Sequence, residues 1–131
     1  VLEGTASASN NPPTTGIAHY EVTMPAGQYI IYGLASVETS AVDGFWVRVN
    51  GATTDVALYG TTGWARWNGI SLKAAWHWDR VFTDNITGLP AIKWTVPGGM
   101  TSFDIAYRDT VGTGTGANPK LDALLFVKVG E

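Results

Sequence analysis

Apolar and polar residues alternate with period two along most of the chain, and no long segment carries the 3.6-residue apolar repeat of an amphipathic helix. In AHYEVTMP, Ala18, Tyr20, Val22 and Met24 share one face, and His19, Glu21 and Thr23 the other. PAG makes a turn, and QYIIYGLAS is apolar enough for a buried strand. SVETSAVDG reads as a loop. FWVRVNG turns Phe45, Val47 and Val49 inward and Trp46, Arg48 and Asn50 outward, and its Asn-Gly pair signals a turn. A polar, Gly- and Thr-rich region ends in TTGWARWNGI. The strand AAWHWDRVF follows, with Trp76, Trp78 and Arg80 on one side and His77, Asp79 and Val81 on the other. After the loop DNITGLP, AIKWTVP sets Ile92, Trp94 and Val96 against Lys93 and Thr95. TSFDIAYRD sets Phe103, Ile105 and Tyr107 against Asp104, Ala106 and Arg108. TVGTGTGANP reads as a flexible tip. LDALLFVKV is apolar on both faces and is therefore expected in the middle of a sheet.

About eight or nine short strands joined by turns predict an all-β fold, an antiparallel β-sandwich of jelly-roll-like form. With 131 residues and no internal repeat, residues 1–131 form a single domain in this reading. The opening VLEGTASASNN is expected to be the start of a module within a longer chain.

Composition changes the picture in three ways. Net charge is −3, with eight basic and eleven acidic residues, so no basic footprint for nucleic acid or an anionic membrane is present. No apolar run approaches bilayer-spanning length. Cysteine is absent, which removes disulfides, thiolate catalysis and cysteine-ligated zinc. What remains distinctive is six tryptophans and sixteen glycines in a chain with only 15% charged residues. That mixture suits a secreted β-rich module that meets neutral or polar surfaces.

Catalytic patterns are weak. His77 and Asp79 are two apart on one strand, a spacing that does not place a carboxylate on an imidazole nitrogen in triad geometry. No G-x-S-x-G elbow occurs, and no motif singles out two carboxylates for glycoside hydrolysis. The chain is expected not to be an enzyme. The one metal with a rationale is a structural calcium, a hard cation wanting several oxygen ligands. Glu3 and Asp122 could meet at it if the termini pair.

The aromatics carry more. Indole rings stack on flat apolar faces, and the C–H faces of sugars are such surfaces. Trp64, Trp67 and Asn68 lie together in GWARWNG, Trp76 and Trp78 share a face with Arg80, and Arg48 adjoins Trp46. Arg108, Asp109 and Asn118 flank the Gly-rich tip. Trp94, with apolar neighbours two residues either side, belongs to the core. Trp46 is either a second layer over the sheet or an exposed platform. One ring of the Trp76/Trp78 pair, more readily Trp76, is expected to be buried. Trp67, before Asn-Gly, is expected to be exposed.

The ordered series DGFWVRVNG, WARWNGI, WHWDRV, VPGGMTSFDIAYRD and KLDALLFV resembles the carbohydrate-binding modules of the family 6/35-like group. GIAHYEVTMPAGQYIIYGLA resembles their second and third strands, so the likeness covers about residues 16 to 128. These modules are non-catalytic β-sandwiches attached to secreted bacterial polysaccharide-degrading enzymes. The resemblance implies sugar binding in end loops through Trp78 and Asn118, or on a sheet face carrying Arg48, Trp67, Asn68 and Arg108. It also implies calcium near Glu3 and Asp122, although only Glu3 stands where the family has paired acids.

The expected function is polysaccharide or oligosaccharide binding that brings an attached catalytic domain to its substrate. The expected setting is extracellular, as a monomeric unit of a multidomain protein. Arg48, Arg66, Arg80 and Arg108 suit carboxylated or sulfated polymers, and the negative net charge suits neutral ones. A structural or adhesion module of a cell-surface protein, or a small glycan-active enzyme, are the alternatives.

Overall fold

A computed structural model describes residues 11–38, 43–60, 62–108 and 119–130. Among these residues there is no helix. Nine strands form two antiparallel sheets: β1 (Ile17–Met24), β2 (Gly27–Val37), β3 (Gly44–Asn50), β4 (Thr53–Thr54), β5 (Ala65–Asn68), β6 (Lys73–Arg80), β7 (Trp94–Val96), β8 (Gly99–Tyr107) and β9 (Lys120–Val129). The first sheet runs β1-β8-β3-β5. In the second, β2 pairs on one side with β9 and on the other with β7 and then β6, while β4 extends β7. Of the successive connections only β6 to β7 stays within one sheet, so the chain shuttles between layers as the jelly-roll-like reading requires.

The period-two pattern converts directly into two layers. Phe45, Val47 and Val49 of β3 lie opposite Tyr107, Ile105 and Phe103 of β8 on the inner face of the first sheet. Tyr29, Ile31 and Ala35 of β2 are buried on the inner face of the second. Trp67 and Trp94 fill the space between, and both are essentially inaccessible. Trp67 thus departs from its expected exposure. It pairs with Phe45 across the β3–β5 ladder, which forces its side chain to the inner face whatever the turn signal after it.

Room for that indole comes from the opposite sheet. A Cβ placed on Gly33 would lie 2.4 Å from Trp67 Cη2 and 3.0 Å from Leu121 Cδ1. The glycine is therefore a packing requirement rather than a turn requirement. β2 would otherwise have to move away from β5.

One expectation about position fails. β9 pairs with β2 alone among the described residues, so it is an edge strand and not a central one. Its second apolar face is open: Leu125 and Val127 are exposed. Its inner residues Leu121, Leu124 and Phe126 instead help line a groove of about 350 Å³ between β9 and β1. Tyr20 and Phe103 stack at 5.1 Å on its far wall, and Phe103 meets Phe126 at 5.4 Å.

Gly33→Ala is expected to lower stability by about 1–3 kcal/mol through overpacking against Trp67. Urea denaturation of Gly33→Ala and of the double variant Gly33→Ala/Trp67→Phe checks this. The smaller ring should recover part of the loss.

Candidate functional site

The sequence singled out seven residues as a sugar site, and the two layers distribute them. Trp67 is in the core. Arg48 and Asn68 stand on the outer face of the first sheet, and Trp76 and Trp78 on the outer face of the second, across the sandwich. Arg108 follows β8, and its backbone N–H donates to Gly44 O at 3.2 Å. Asn118 lies outside the described residues, as does Glu3 of the calcium pair. Asp122 is exposed on β9, where the register with β2 shifts, and borders the groove. No group of three or more metal-ligating side chains occurs among the described residues.

The outer face of the first sheet is a polar network built on Asp104. Its side chain is 4% exposed and takes hydrogen bonds from four donor atoms. Arg48 Nε and Nη2 donate to Oδ2 at 3.1 and 2.7 Å, Asn50 Nδ2 donates to Oδ2 at 3.1 Å, and His19 Nδ1 meets Oδ1 at 2.5 Å. β-pairing explains the convergence, because His19 and Arg48 are the direct cross-strand neighbours of Asp104 on β1 and β3. Burial would raise the Asp104 carboxyl, but the hydrogen bonds from Arg48, His19 and Asn50, with the Arg48 charge, hold it below its ordinary value.

Aromatic rings cover the rest of this face. Trp46 is fully buried as a second layer, with Tyr59 edge-on to it at 5.6 Å. Tyr59 and Trp64 are bridged, which folds their connecting turn back onto the sheet. The Arg48 guanidinium lies 4.3 Å over Trp64, and that of Arg66 lies 4.2 Å over Tyr59. Arg66 Nε also donates to both oxygens of Asp84, and Asn68 Nδ2 donates to Asp84 Oδ2 at 3.2 Å. Arg48, Arg66 and Asn68 therefore have structural partners inside the domain.

The second sheet's outer face is different in kind. Trp76 and Trp78 are 49% and 50% exposed, so both rings, not one, stand at the surface. Two residues apart on β6, their α-carbons are about 7 Å from one another along the strand. Leu34 lies directly opposite Trp78, and Tyr32 opposite Arg80. Beyond them on β9, Ala123 and Leu125 face Leu34 and Tyr32. The Arg80 side chain is tied down: Nε and Nη2 donate to Leu89 O at 3.2 and 2.9 Å, and Nη1 donates to Asp79 at 3.0 Å. Its plane also covers Phe82 at 4.9 Å. Leu89, held through its carbonyl, sits in the left-handed region at φ 48°.

The His77–Asp79 pair does not form. His77 Nδ1 meets Ala75 O at 3.2 Å, and Asp79 accepts from Ser71 N–H and Arg80. The histidine–carboxylate pair that does exist, His19–Asp104, spans 85 positions of sequence and needs the β1–β8 register to be seen. Trp78 does not face Arg48 and Trp67. It faces out from the other sheet. No family model, curated protein or solved structure matches the chain, so the site rests on its own geometry.

Asp104→Asn is expected to cost about 2 kcal/mol at pH 7, the scale of lost hydrogen bonds to a charged group. The sign with pH is fixed by the lowered value. Asp104 contributes stability above the carboxylate range of the unfolded chain, near pH 4, and loses it as pH falls through its folded value. Denaturation from pH 7 to pH 2 should therefore show the wild type and Asp104→Asn converging in acid.

Proposed function

We propose that this domain is a non-catalytic polysaccharide-binding module that brings an attached carbohydrate-active enzyme to its substrate outside the cell. The observation that carries the reading is the pair of half-exposed indoles, Trp76 and Trp78, side by side on the outer face of β6. Large rings left at the surface two residues apart on one strand offer neighbouring stacking surfaces, and the C–H face of a pyranose ring stacks on an indole. The family 6/35-like order of motifs supports the same reading, with the stacking rings on the sheet face rather than in end loops. Binding by exposed stacking is weak per module, and repeated modules or an attached enzyme raise the effective affinity.

A second reading is favoured by one feature. The apolar surface continues from the indoles through Leu34 to the exposed Leu125 and Val127 on β9. Contiguous apolar surface of that kind also suits a protein partner, as in an adhesion or structural module.

Titration calorimetry and affinity electrophoresis over a polysaccharide panel separate the two readings. Binding of at least one polysaccharide is expected, and Trp78→Ala should weaken it tenfold or more, about 1.4 kcal/mol. The unfolding midpoint of that variant should stay close to wild type, because the ring is half in water. Trp67→Ala, by contrast, should lose about 3–5 kcal/mol of stability. Silence across the panel, with a protein partner recovered through the same face, favours the adhesion reading.

A further inference from the structure

Resting on the reading of Trp76 and Trp78 as a sugar platform, we infer that the ligand is an uncharged polysaccharide in packed, insoluble form, its ring faces presented together as a flat surface. Charge is the first argument. An acidic or sulfated chain is best held by a guanidinium free to meet its oxygens two at a time. Arg80, on the strand of the two indoles, has its Nε, Nη1 and Nη2 committed to Leu89 O and Asp79. Arg48 and Arg66 lie on the opposite face, bound to Asp104 and Asp84. Lys120, at the start of β9, is 3.9 Å from Glu38. Lys73, at the start of β6, is a single ammonium on a flexible stem. Among the described residues this sheet therefore offers an anionic polymer single ammonium groups, Lys73 on β6 and Lys128 on β9, and no free guanidinium to clamp it at two points.

Shape and polarity are the second argument. A soluble sugar chain is heavily hydrated, and burying its hydroxyls is costly unless the protein replaces the lost hydrogen bonds. The platform consists of Trp76, Trp78, Leu34, Leu125 and Val127, with the Tyr32 hydroxyl as a polar group among them. In a packed polysaccharide the hydroxyls already bond to neighbouring chains, and the outward surface is rich in ring C–H groups. Covering such a surface leaves few polar groups unpaired. Three adjacent strands, β6, β2 and β9, make the face about 10 Å across, broad enough to lie on a surface rather than around one chain.

Depletion from solution tests this. The chain is mixed with microcrystalline cellulose, with crystalline chitin and with alginate gel beads, at 50 mM and at 1 M NaCl. The expected result is removal by at least one of the two uncharged solids, undiminished at high salt. Excess soluble cello- or chito-oligosaccharide should not release it, and Trp76→Ala and Trp78→Ala should each lower the bound-to-free ratio at least tenfold. Retention on alginate alone, lost at 1 M salt, overturns the inference and leaves the polysaccharide-binding reading standing. Release by soluble oligosaccharide, or retention indifferent to both tryptophan substitutions, also overturns it. Failure to bind any of these materials or any polysaccharide in solution takes both down together.

Discussion

The fit of one indole into the space above one glycine sets the geometry of this domain. Trp67 projects from β5 of the first sheet and needs Gly33 of β2 to have no side chain. That single contact fixes the separation of the layers and the facing of two strands at once. With Gly33 inward, Leu34 must be outward, and so must Trp78 directly opposite it. A one-residue slip of β6 against β2 would bury both surface indoles and expose Asp79. The surface platform is thus specified from within the core.

The two outer faces solve different problems. On the first sheet, charge is neutralised internally: Asp104 is surrounded by Arg48, Asn50 and His19, and Arg48 and Arg66 lie flat on aromatic rings. Such a layer is polar in composition yet has most of its hydrogen-bonding capacity already used. On the second sheet, apolar side chains remain in water with little polar cover. An arginine-rich, Asn-containing set in the sequence points to the first face, whereas the exposed rings belong to the second. Composition near a tryptophan does not reveal whether a nearby guanidinium is available.

Alternation made the strands and most inward residues legible. Phe45, Val47, Val49, Ile92, Trp94 and Val96 are buried where period two places them. What alternation cannot supply is register and neighbour identity. Trp67 looks like a loop residue beside Asn-Gly until its pairing with Phe45 is known. LDALLFVKV looks central because both its faces are apolar, yet it ends the sheet, its inner face lining the groove and its outer face open. His19 and Asp104 sit on correctly assigned polar faces 85 positions apart, and only the β1–β8 ladder joins them. The platform itself is half legible: the sequence singles out Trp78 as the exposed ring, but Arg48 and Trp67, one of its two expected surroundings, belong to the other layer.

The place of β2 has a consequence for how the platform behaves in time. Among the described residues β6 and β9 pair with this strand alone, and β7 has besides it only the two-residue β4, so the second sheet hangs from a single backbone. The tryptophan-bearing strand cannot be rebuilt against another neighbour if β2 lets go. Its one partner is itself paired along its other edge with β9, so the indoles stand on a strand laid against the middle of the sheet. The rings thus sit on paired backbone before any ligand arrives, and a ligand that lands on them has no strand left to form.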